Sequence, residues 1–184
     1  MAATAHAPGG RGGGPAIAAE CALRRARAVA GRVAAAALFA LSAAAAAAGP
    51  LPYDPAADPR AELRRALDGA ARDGRPVLVV FGANWCGDCR AFDRALRQAD
   101  TARWVARSFR VVKVDVGRFD RHLDIAESYG NPIAKGIPAA VLLSPGNEVL
   151  QATRAGELAD ARRMGGKAIR RFLEGMAAKG RDAR

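Results

Sequence analysis

Five consecutive residues, Trp85-Cys86-Gly87-Asp88-Cys89, put two thiols three positions apart, close behind the apolar run Val77-Leu78-Val79-Val80-Phe81. A C-x-x-C that opens a helix at the end of a buried strand is the sequence form of a dithiol redox site. The spacing has a mechanical reason. Residues i and i+3 share one helix face, and a rise of about 1.5 Å per residue separates them by roughly 4.5 Å along the axis. That places the α-carbons near the window of about 4.4–6.8 Å that a disulfide spans. The bond can then form and break with little backbone movement. Two plainer readings compete, a structural clip and half of a zinc site. Zinc needs two further ligands, and beyond residue 48 the chain has a single histidine, His122. A static bridge over so small a loop would stabilise little. Redox chemistry without a metal is the favoured reading.

The third cysteine, Cys21, lies in a different kind of segment. Arg24, Arg25, Arg27 and Arg32 precede an alanine-rich apolar run from Val33 to Ala48, which ends at Gly49-Pro50. A basic region, an apolar stretch, small residues and a break read as a secretory signal peptide cut near Ala48. An uncleaved anchor is the alternative, but the run is short for a span of about 20 residues and alanine is weakly apolar. Residues 1–19 have no periodic pattern and are set aside. Cleavage would leave Cys86 and Cys89 as the only thiols, in a compartment where disulfides persist. The expected organisation is a low-complexity N-terminus and signal peptide over 1–48, a linker over 49–59, one domain over 60–178 and a tail over 179–184. The expected location is periplasmic or otherwise outside the cytoplasm.

Charge excludes less. Of 29 Lys+Arg and 18 Asp+Glu, five basic residues and one acid fall before Gly49, leaving 24 against 17 beyond it. The arginines are scattered beside acids, as in Glu62/Arg65, Arg90/Asp93/Arg94 and Asp160/Arg163. That pattern reads as a solvated surface rather than a nucleic-acid face.

The elements that must position the thiols follow from periodicity and punctuation. Asp58-Pro59 starts a helix through about Arg72, with Leu63, Ala66, Leu67 and Ala70 on one face, and Asp73-Gly74-Arg75-Pro76 stops it. Val77–Phe81 is a strand covered on both faces. The helix opened by the cysteines turns Phe92, Ala95 and Leu96 inward and Arg90, Asp93, Arg94 and Arg97 outward. Residues 101–108 form a short helix that packs Trp104 and Val105. Residues 109–115 form a second strand, and 120–129 a helix with His122 on its exposed face. Residues 138–143 and 148–152 form a hairpin around Ser144-Pro145-Gly146-Asn147. Residues 168–176 form a closing amphipathic helix. This order gives an α/β fold with a central mixed sheet of about four strands flanked by helices.

Val79–Cys89 and Lys135-Gly136-Ile137-Pro138, in this element order, resemble thioredoxin-fold proteins, with the exported bacterial thioredoxin-like proteins the best fit. The resemblance covers roughly residues 60–176. It implies a cis proline, Pro138, facing the cysteines, and substrate docking by backbone bonds from Ile137. Trp85 fits the tryptophan usual before the C-x-x-C. The segment Tyr129-Gly130-Asn131-Pro132 would lengthen the approach to Pro138 and border the substrate groove.

Within this frame Cys86 is the nucleophile. At a helix N-terminus its thiolate meets unpaired N–H groups and the positive end of the dipole, which lowers its pKa below the free value of about 8.5. Cys89, one turn further in, then attacks Cys86 and releases reduced substrate. Two departures bear on mechanism. The middle pair is Gly87-Asp88 rather than Gly-Pro. At about 7 Å and an effective dielectric of 40–80, the Asp88 carboxylate raises a thiol pKa by roughly half to one unit. That opposes the dipole and favours a reductant, although Asp88 also suits a helix's first turn. The second departure is Val80, where cytosolic thioredoxins carry a buried aspartate that assists proton transfer to the second cysteine. The expected activity is disulfide exchange with protein substrates, as a reductant acting as a monomer. It needs no bound cofactor, metal or nucleic acid, and a membrane dithiol relay is the expected electron donor. An oxidase or isomerase with the same residues is the first rival, and a non-catalytic binding module the second.

Overall fold

The computed structural model describes residues 51–182, so the expected leader lies outside the described residues. Helix α1 (Pro59–Asp73) begins where the sequence places it: the Asp58 carboxylate accepts from the Arg60 and Ala61 N–H groups, and Pro59 opens the first turn. Strand β1 (Val77–Gly82) follows, buried at every position. Helices α2 (Gly87–Arg97) and α3 (Ala99–Ser108) lead to strand β2 (Arg110–Asp115). Short helix α4 (Leu123–Ser128) and a 3-10 turn (Pro132–Lys135) precede β3 (Ala139–Leu143) and β4 (Val149–Ala152), and α5 (Ala161–Asp182) closes the chain.

The four strands form one sheet in the order β2-β1-β3-β4. β1 runs parallel to β2 and antiparallel to β3, and β3 and β4 form the hairpin. This is the mixed sheet expected from the sequence. The continuous apolar runs Val77–Phe81 and Ala139–Leu143 are the two interior strands, buried on both faces. The more polar β2 and β4 lie at the edges. Phe92, Leu96, Ile169, Leu173 and Met176 are all buried in one core, as α2 packs along α5.

Several boundaries differ from expectation. α5 extends well beyond 168–176, because its first turn starts at Ala161 and is joined to the rest across Gly165. The helix expected over 120–129 shortens to Leu123–Ser128, since Phe119 and His122 both take left-handed backbone angles. His122 is half-buried rather than exposed, and its Nδ1 donates to the Asp115 carbonyl at 2.8 Å. Tyr53, placed by sequence in the lead-in segment, is buried at 2 % exposure.

Tyr53 explains a residue in β1. The phenol occupies the space above Gly82, so a Cβ added there would overlap the hydroxyl. The Gly82→Ala variant is therefore expected to lose about 1–3 kcal/mol, the usual cost of overpacking. Urea denaturation checks this; an unchanged midpoint would show that the ring has room to move.

Candidate active site

The site assembles at one end of the strands because of their register. β1 and β2 are parallel, with Gly82 opposite Asp115, so both C-terminal ends reach the same side. β3 is antiparallel, with Ala139 opposite Phe81, so its beginning arrives there too. Three loops converge as a result. One carries Cys86, one follows β2, and one carries Ile137 and Pro138.

After β1 the chain turns through Ala83–Cys86, where the Cys86 N–H donates to the Ala83 carbonyl at 3.2 Å. Asn84 ties the turn to the lead-in segment: its Oδ1 accepts from the Tyr53 N–H at 3.0 Å, and its Nδ2 donates to the Tyr53 carbonyl at 2.6 Å. Arg90 reaches back to donate to the Asn84 carbonyl at 2.9 Å. Cys86 is then the N-cap of α2, its sulfur accepting the Cys89 N–H at 3.1 Å. This is the geometry by which a helix terminus stabilises a thiolate. Cys86 and Cys89 form a disulfide with α-carbons 5.2 Å apart, inside the expected window. Cys89 is fully buried and Cys86 retains 5 % exposure, so Cys86 is the sulfur nearer the rim.

The Ile137-Pro138 peptide bond is cis, and the Ile137 carbonyl oxygen lies 3.5 Å from Cys86 Sγ. Residues 51 positions apart thus meet at the Cys86 sulfur. Trp85 is half exposed; its Nε1 donates to the Gly117 carbonyl at 2.7 Å, and its ring meets Phe119 edge-on at 6.3 Å. Beside the cis-proline loop, a cleft of about 350 Å³ is lined by apolar residues that include Phe119, Leu123 and Ile133, together with Asn131 and Glu127. Among the described residues, no cluster of His, Cys, Asp or Glu is arranged to hold a metal ion.

The acids require two corrections. Asp93, expected to face outward, is 5 % exposed, and its carboxylate pairs with Lys113 of β2 and with Arg97 at 2.8 Å. Lys113 lies opposite Val80 in the sheet. Asp93 is thus a buried acid on the helix, one turn beyond Cys89, paired across to the strand beside β1. Asp88 is likewise not a free charge. At 8 % exposure, its carboxylate accepts from the Arg162 backbone N–H at 3.0 Å and from Arg162 Nε at 3.1 Å. Burial pushes the Asp88 carboxyl up, but these bonds and the Arg162 charge outweigh it and hold the group below the usual carboxylate range. Arg162 lies 74 positions from Asp88, and no spacing rule pointed to it. Tyr53 and Asn84 also went unread, since neither the proline-bearing lead-in nor the short turn after β1 has a periodicity to place them.

An α/β sheet with a capped C-x-x-C and a cis proline together at the ends of its interior strands defines a thiol–disulfide oxidoreductase. A family model described as "Thioredoxin-like" matches residues 58–145. The chain is 34 % identical over 83 residues to a thioredoxin of Pseudomonas aeruginosa, a match covering 45 % of this chain and 68 % of that one. It is also similar to the crystal structure of a disulphide isomerase from Xylella fastidiosa Temecula1, at 45 % identity and a TM-score of 0.69. That match covers 70 % of this chain and 98 % of the other. The chain belongs to the thioredoxin-like family.

The Asp88 contacts make a pH-dependent prediction. Its folded-state pKa lies below the ordinary value of about 3.9, so its contribution is complete above that value and vanishes as pH falls through the folded-state one. Asp88→Asn is expected to cost about 1–3 kcal/mol at neutral pH, the usual effect of breaking a buried charged hydrogen bond. The gap in urea midpoint should narrow as pH falls below the ordinary carboxylate value, and a gap that widens on acidification contradicts the assignment.

Proposed function

We propose that this oxidoreductase works outside the cytoplasm from its dithiol form, reducing disulfides in protein substrates. The observation that carries disulfide exchange is the Cys86 sulfur, which caps α2 and lies against the Ile137 carbonyl at the rim of the site, and the reducing direction is what the potential of the couple tests. In the reduced protein Cys86 attacks as the thiolate. Its electron pair forms a bond to one substrate sulfur, the substrate disulfide breaks, and the departing thiolate takes a proton from water. Cys89 then loses its proton and bonds to Cys86, the mixed disulfide breaks, and the second substrate thiolate leaves. Two electrons pass to the substrate, and a membrane dithiol relay restores the Cys86–Cys89 pair. Ile137 and Pro138 hold the substrate backbone, Trp85 borders it, and Gly87 and Asp88 tune the thiols. The exchange needs no bound cofactor.

Export rests on the basic and apolar pattern of residues 24–48, outside the described residues. No helix among the described residues is long and apolar enough to cross a membrane. Isomerisation is a second reading, favoured by the Xylella relative named for it. The chemistry separates the two, because an isomerase can release Cys86 to another substrate thiol without using Cys89, whereas a reductase cannot.

Cys86→Ser is expected to abolish reduction of a protein disulfide such as that of insulin. Cys89→Ser should accumulate mixed disulfides on exported proteins and lose net reduction. Retained rearrangement of scrambled disulfides by Cys89→Ser would favour isomerisation. A pull-down without thiol-linked species would contradict both readings. The wild-type couple should lie nearer −270 mV than −120 mV, the approximate values of a reductant and an oxidant.

A further inference from the structure

Helix α5 is interrupted. Gly165 has φ 69° and ψ 160°, a conformation that glycine adopts at little cost, and it joins the turn at Ala161–Met164 to the long remainder. This break sets Arg162 against the active-site helix. Three contacts run from Arg162 to the Asp88 carboxylate: backbone N to Oδ1 at 3.0 Å, Nε to Oδ1 at 3.1 Å and Nη2 to Oδ2 at 3.1 Å. The side chain also leans over Gly87, where an added Cβ would lie 3.1 Å from Arg162 Nη1 and 3.2 Å from its Cδ. A cation from the last helix therefore covers the dipeptide between the two cysteines.

We propose that Arg162 is a positioning residue that sets the ionisation of Cys86 by neutralising Asp88. The inference rests on Cys86 as the reacting sulfur. An unpaired Asp88 would oppose the thiolate, and a guanidinium bound to that carboxylate offsets the opposition. The helix terminus is then left as the dominant influence on the sulfur. Of the other charges around the mouth, Arg163 is bound to Asp160 and adds a weaker attraction on Asp88, whereas Arg90 is bound to the Asn84 carbonyl and Arg121 to Asp115. Asp120 accepts from the Arg118 N–H, and Lys135 is the ionisable group of the cis-proline approach.

The test uses opposite signs. In the full-length reduced chain carrying Cys89→Ser, the pH dependence of iodoacetamide labelling is followed at the Cys86 peptide. Arg162→Gln removes the guanidinium from Asp88 while keeping the backbone bond, and should raise the Cys86 pKa by up to about half to one unit. Asp88→Asn leaves the cation unmatched and should lower it by a similar amount. The double variant should return close to the starting value, and Arg162→Lys should stay near it. With both cysteines present, Arg162→Gln should shift the glutathione equilibrium about threefold to tenfold toward the disulfide. If Arg162 only braces the fold, the two single variants break the same contact and shift the pKa in the same direction. Same-direction shifts, or no shift in either variant, overturn the proposal. The labelling requires no protein substrate, so its outcome is separate from the insulin and trapping assays, which test the functional reading.

Discussion

The structure depends on a single contact, the Cys89 N–H donated to the Cys86 sulfur at the start of α2. That bond gives an orphan donor of the helix a partner and holds the sulfur where negative charge is favoured. Everything around it is arranged to hold that helix end at the tip of an interior strand. β1 is buried throughout and flanked on both sides, so its C-terminal end is fixed in place. The antiparallel pairing of β3 brings Pro138 across to face the same end, and the parallel pairing of β2 brings the Gly117 carbonyl beneath Trp85. Sheet register, more than any property of the loops, puts residues distant in sequence around one sulfur.

Charge around the thiols is handled by compensation. Two carboxylates lie buried on α2, and each is matched by a cation from another part of the chain. Asp88 has Arg162 from α5, while Asp93 has Lys113 from β2 together with Arg97. A buried carboxylate without such a partner would be costly, and removing one member of a pair strands the other. Asp88 alone therefore does not argue for a reductant as it did in isolation. The local field at Cys86 is set by the pair together with the helix end.

The sequence made the catalytic core legible for physical reasons. A C-x-x-C behind an unbroken β-branched run has few other uses, and Ile137-Pro138 before a second such run completed the resemblance. The interior strands were readable because burial on both faces leaves no polar position. Orientation on α2 was less readable: its helical period put Asp93 with the solvent-facing charges, and only the position of Lys113 on the neighbouring strand draws it inward. His122 was assigned to a helix face because nothing local predicts its left-handed turn. Arg162 had no signal at all, since its role depends on a helix broken at Gly165 and on tertiary packing between α2 and α5.

The most direct test of the account is the relative reactivity of the two thiols in the reduced wild-type protein. Brief iodoacetamide treatment across a pH series, with the labelled cysteine identified by peptide mass, reads it. The account predicts that Cys86 is modified first, with an apparent pKa below the free-thiol value of about 8.5, and that Cys89 is protected. Equal labelling of the two, or a Cys86 value at or above that of a free thiol, would contradict it.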